Sequence, residues 1–146
     1  MKIALASDHR GYSLKNYLID NLKNEYEILD LGTNSTESVD FPEYGIKLGE
    51  AIINNKADFG IAICGTGIGI SIAANKVKGI MCAKINTIEE AHLAKEHNNA
   101  NVIALSGKAD KELALNMVKE FLKAKPNEEE KYKRRIKQIE DYDNER

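Results

Sequence analysis

The chain has no tryptophan, two prolines, two cysteines and only 6% aromatic residues in 146 positions. So few rings provide no stacking platform for a single-stranded nucleic acid. A net charge of −2 provides neither a field for a polyanion nor a cationic patch for a membrane surface. No run approaches the roughly 20 apolar residues of a spanning helix. Met1-Lys2-Ile3 leads straight into a strand pattern, so no signal peptide is read. Cys64 and Cys82 cannot frame a disulfide scaffold, and neither belongs to a C-x-x-C metal motif. The expectation is a cytoplasmic protein with no nucleic-acid or membrane partner. What is present is 42% hydrophobic and 30% charged residues, the balance of one globular domain with a real core.

The most informative stretch is Asp58 to Lys76, DFGIAICGTGIGISIAANK. Phe59 to Ile63 is an apolar run too short for a helix, which reads as a strand buried on both faces. Cys64 ends it, Gly65-Thr66-Gly67-Ile68-Gly69 follows, and a small-residue helix is expected over Ser71 to Lys76. Strand, glycine loop and helix start together form an anion cradle, because backbone N–H groups converge there beside the positive end of the helix. That field favours anions, a thiolate among them. Cys64 therefore reads either as a base or nucleophile beside an oxyanion cradle, or as a small buried hydrophobe. A dinucleotide site fits poorly. The glycines run G-x-G-x-G, with Ile70 where a third G-x-x-G glycine belongs. The acidic residue expected ~20 positions on would be Glu89 or Glu90, inside a helical pattern.

Strand and helix patterns alternate along the chain. Strands are expected at Lys2 to Ser7, Glu27 to Leu31, Phe59 to Ile63, Gly79 to Ile85 and Asn101 to Leu105. Helical stripes lie between them: Leu14, Tyr17, Leu18 and Leu22; then Ile46, Leu48, Ala51 and Ile52, weakened by Gly45 and Gly49; and later Leu113, Met117, Val118, Phe121 and Leu122. Phe41-Pro42 opens the second helix, with proline where a first turn tolerates it. Thr87 with Glu90 has capping-box spacing. This alternation implies a parallel α/β sheet covered on both faces, with ligands beyond the carboxyl ends of the strands. Asp8-His9, Cys64 to Gly69 and Asn86-Thr87 should then converge on one crevice. Pro126 separates a main domain, residues 1–125, from a charged C-terminal helix, residues 126–146. Tyr132, Ile136, Ile139 and Tyr142 make a narrow stripe on that helix. It has no obvious place on a core already covered twice, so a partner subunit is the expected acceptor.

DHRGY, ESVDFPEYG, ICGTGIGISIAANK and EHNNANVIAL together resemble ribose-5-phosphate isomerase B, in the family that includes the allose- and galactose-6-phosphate isomerases. The resemblance runs from Met1 to about Leu122 and weakens in the tail. It implies a three-layer Rossmann-like fold with five parallel strands, and a homodimer or homotetramer with the site between subunits. It also implies cofactor- and metal-free interconversion of an aldose phosphate and a ketose phosphate. Carried over by residue, it makes Cys64 the base, Gly65, Gly67, Ile68 and Gly69 the cradle, and His97, with Thr66 nearby, the ring-opening group. Asp8, His9 and Asn98 resemble positions that contact sugar or phosphate. Two family arginines appear here as Lys108 and Lys131, with Arg135 at the second tail arginine. Arg10 stands where the family usually has a small residue, either restoring a guanidinium or facing solvent. Ribose 5-phosphate is the expected substrate, a hexose 6-phosphate the alternative, and a non-catalytic phosphosugar- or nucleotide-binding flavodoxin-like domain the contrasting class.

Overall fold

The computed structural model describes the whole chain, Met1–Arg146. In order, the elements are β1 (Lys2–Ser7), α1 (Tyr12–Leu22), β2 (Glu27–Asp30), α2 (Phe41–Ile53), β3 (Phe59–Cys64), α3 (Ile68–Asn75), β4 (Cys82–Lys84), α4 (Ile88–Asn98), β5 (Val102–Ser106), α5 (Lys111–Lys123) and α6 (Glu130–Glu145). The five strands form one parallel sheet in the order β2-β1-β3-β5-β4. This is the three-layer Rossmann-like architecture expected.

The central strands alternate large and small residues, and that alternation sorts the two layers. Ile3, Leu5, Ile61, Ile63, Ile103 and Leu105 point to one face, against Leu14, Leu18 and Leu22 of α1 and Met117, Val118 and Phe121 of α5. Ala4, Ala6, Ala62 and Ala104 point to the other, where Leu48 and Ile52 of α2 and Ile70 and Ala74 of α3 lie on them. Period-two alternation requires this split. The small face lets α2 and α3 approach closely.

Several boundaries differ from the sequence expectation. The helix after the glycine loop begins at Ile68, three residues before Ser71, because Gly67 takes the left-handed conformation (φ 80°) that starts it. The fourth strand shrinks to Cys82–Lys84, since it is an edge strand paired only with β5. In α2 the glycines are the contact rather than a weakness. A β-carbon on Gly45 would lie 2.9 Å from Ala73 Cβ, and one on Gly49 would lie 2.8 Å from Val77 Cγ2. Ile46, expected in the stripe, is 40% exposed.

The tail helix finds part of its place on its own chain. Asp143 accepts the Gly79 N–H at 2.6 Å, and the Asn144 carbonyl accepts from Lys78 Nζ at 3.1 Å. Arg146 donates to the Asn75 carbonyl at 2.9 Å. Tyr132 and Ile136 are half-buried, whereas Ile139 is exposed and Tyr142 is 75% exposed. No helix is long and apolar enough to cross a membrane.

Candidate active site

The chain leaves β2, crosses the carboxyl end of the sheet and enters β3 on the far side of β1. This reversal opens a crevice of about 380 Å³ at the switch point, where open α/β sheets bind ligands. Asp8, His9 and Arg10 line it from the loop after β1, and Cys64, Gly65, Thr66 and Gly69 from the loop after β3. Ser38, Val39, Asp40 and Phe41, from the crossing segment, close it.

Each wall is fixed locally. Asp8 is buried, and its Oδ1 accepts the N–H groups of Arg10 (2.9 Å) and Gly11 (3.1 Å), an Asx-type turn that starts α1. His9 Nδ1 accepts the Val39 N–H at 3.2 Å, which leaves Nε2 as the nitrogen that carries hydrogen and can meet a ligand. Cys64 is 4% exposed, and its Sγ accepts the Gly67 N–H at 3.2 Å. Thr66 Oγ1 accepts the Ile68 N–H at 3.1 Å. Two of the cradle amides are thereby engaged within the chain. Gly69 and Ile70 N–H, in the first turn of α3, have no intrahelical carbonyl to bond and remain for an anion. Gly67 tolerates no other residue, because a β-carbon would lie 2.8 Å from the Leu105 carbonyl carbon.

The loop after β5 is tied to the same mouth. Gly107 N–H donates to the Cys64 carbonyl at 2.8 Å, and Ser106 Oγ donates to the Gly65 carbonyl at 2.8 Å. Lys108 follows, its N–H donating to Ser106 Oγ at 3.1 Å, and it is not among the residues that line the crevice.

Other expected site residues lie elsewhere in the chain. His97 and Asn98 end α4, which runs back to the amino ends of the strands, opposite Cys64. His97 stacks on Tyr132 at 4.7 Å between centroids, with the rings 13° apart. Lys131 Nζ lies 5.1 Å from the same phenol ring, and Arg135 shares α6 with it. Within a single chain α4 therefore places His97 and Cys64 at opposite ends of the sheet. The Asn86-Thr87 cluster is likewise absent from the lining, because β4 is the far edge strand. Thr87 instead caps α4, accepting the Glu90 N–H at 3.0 Å. His92 bridges Glu120 (Nδ1 to Oε2, 2.9 Å) and Glu96, and the hydrogen bond to Glu120 is the largest cause of its raised pKa. Sequence reasoning missed Ser38, Val39, Asp40 and Phe41 as lining. The usable signal was position: they stand on the crossing from β2 to β3, which passes over the carboxyl end of β1.

A family model described as Ribose/Galactose Isomerase matches residues 3–139. The chain belongs to this family. Among solved structures, a ribose-5-phosphate isomerase B of Clostridium thermocellum is 44% identical with a TM-score of 0.95, and the match covers 99% of each chain. One from Mycoplasma genitalium, with bound ribulose-5-phosphate, is 38% identical with a TM-score of 0.92, covering 99% of this chain and 97% of that one. The ribose-5-phosphate isomerase B of Escherichia coli is 41% identical over 108 residues, 73% of this chain and 72% of its own. Membership extends through most of α6, the segment where the sequence motifs are weakest.

Proposed function

We propose that this isomerase interconverts ribose 5-phosphate and ribulose 5-phosphate through an enediolate, with Cys64 as the base. The observation that carries it is the Cys64 sulfur, held by the Gly67 N–H at the start of α3 and facing a crevice shared with Asp8 and His9. The Cys64 thiolate takes the proton from C2 of the open-chain aldose. The C–H electron pair forms the C1–C2 double bond, and charge collects on O1. The cysteine returns its proton to C1, O2 becomes the carbonyl, and the O2 hydroxyl proton passes to O1. The first-turn amides of α3 stabilise the developing oxyanion, the term that usually dominates such a step.

A second copy of the chain completes the site. His97, which opens the furanose, and Asn98, Lys131 and Arg135 cannot reach Cys64 of their own chain, so in this reading they act across a homodimer. The exposed Ile139 and Tyr142 of α6 support a docking role for residues 126–146. Two free thiols fit a reducing compartment such as the cytoplasm. The test is isomerisation of ribose 5-phosphate, allose 6-phosphate and galactose 6-phosphate by protein expressed alone. The largest kcat/KM is expected for ribose 5-phosphate. A clear preference for a hexose phosphate would replace the substrate and leave the chemistry standing, and turnover of none would overturn the reading.

A further inference from the structure

Three of the four arginines, Arg134, Arg135 and Arg146, belong to the C-terminal segment, and the fourth, Arg10, lines the crevice beside Cys64. Its backbone is clamped on two sides. The N–H is held by Asp8 Oδ1, and a β-carbon on Gly107 would come within 2.3 Å of the Arg10 carbonyl oxygen. Its side chain lies across Gly65, where a β-carbon would meet Arg10 Cδ at 2.9 Å and Nη1 at 3.4 Å. Gly65 is the gap that admits this arginine. Asp8 and Asp40 line the same crevice, yet Arg10 forms no ion pair with either. The turn that launches it is rigid, its guanidinium has no carboxylate, and His9 Nε2 lies one residue away in the same lining.

We infer that Arg10 binds the phosphate of the substrate, as the guanidinium that the Cys64-bearing chain adds to the phosphate subsite. The inference rests on the sugar-phosphate isomerase reading. Two anions must be held in that reaction, and the chemistry separates them. The enediolate is transient and is served by the amides at the start of α3. The phosphate carries about −1.5 to −2 charge throughout and presents three oxygens to a planar fork. An unpaired arginine on a rigid turn suits the permanent charge.

Steady-state kinetics with ribose 5-phosphate test this, using wild type, Arg10→Ala, Arg10→Lys, and Arg134→Ala as a control whose guanidinium is paired with Glu130. Arg10→Ala should raise KM about 10- to 100-fold, the loss expected of a charge-assisted bond, with kcat little changed. Arg10→Lys should fall between, keeping charge but losing the fork. The inhibition constant of inorganic phosphate should rise with KM. A fall in kcat at unchanged KM would overturn the inference by placing Arg10 at the reacting carbons, and wild-type constants in Arg10→Ala would overturn it outright. If wild-type protein turns over no phosphosugar, the isomerase reading fails separately. Calorimetric titration with inorganic phosphate then decides Arg10 alone: binding lost in Arg10→Ala supports it, and equal binding sinks it.

Discussion

Cys64 and Cys82 face the same layer of the core and have different chemistry. Cys82 packs against the small-residue core and exchanges hydrogen bonds with Asn75 through its backbone. Burial pushes its thiol up to about 12, with a Ser71 hydrogen bond offsetting only part. It stays a thiol at neutral pH. Iodoacetamide at pH 8 should leave Cys82 unmodified by peptide mass spectrometry, and Cys82→Ala should keep kcat. Cys64→Ala should abolish turnover while the far-ultraviolet spectrum stays that of the folded protein. Lys95 is a third residue decided by surroundings. It is 3% exposed, donates to the Phe121 carbonyl at 2.9 Å and lies 3.9 Å from the Phe59 ring centroid. Burial lowers its pKa to about 8. Between pH 8 and the ordinary lysine value of 10.5 the unfolded chain binds more protons, so stability attributable to Lys95 rises with pH across that window. Differential scanning calorimetry at pH 7 and pH 9.5 should therefore show the melting temperature of wild type gaining on that of Lys95→Met as pH rises. Parallel profiles would contradict the assignment.

Glycine in a helix normally costs about 0.5–1 kcal/mol relative to alanine, so propensity alone says Gly45→Ala and Gly49→Ala should stabilise α2. Packing says the opposite. The new carbon on Gly45 would lie 2.9 Å from both Ala73 Cβ and the Ile70 carbonyl oxygen, and forced overpacking costs about 1–3 kcal/mol. The backbone carbonyl cannot rotate away as a side chain could. Packing should win, and Gly45→Ala should lower the denaturation midpoint in urea. A raised midpoint would mean that α2 and α3 separate easily. The stripe Ile46, Leu48, Ala51, Ile52 was legible as helical. The two glycines as its contact face were not, because a residue without a side chain gives no apolar signal.

For the whole molecule, the decisive question is which copies of Cys64 and His97 work together. The Cys64→Ala and His97→Ala proteins should each be inactive. If sites form between two-fold related chains, mixing the variants after reversible denaturation makes half the dimers hybrids, each with one intact site, or roughly a quarter of wild-type activity. No recovery would overturn the pairing of Cys64 and His97 across two chains, and sedimentation of a monomer at micromolar concentration would remove the dimer itself.

Much of this was written locally. The period-two runs of β1, β3 and β5, the Thr87 cap, and the strand–glycine–helix sequence around Cys64 depend on neighbours within a few residues, so periodicity and turn chemistry reveal them. Strand order does not depend on neighbours. Only the folded sheet, with β1 and β3 side by side and β4 at the edge, brings Asp8, His9, Arg10 and the 38–41 crossing to Cys64 and excludes Asn86-Thr87. It likewise sends His97 to the opposite end, since a helix returning between parallel strands must finish where the next strand begins. Local pattern determined which residues could do chemistry, and long-range pairing decided which of them meet.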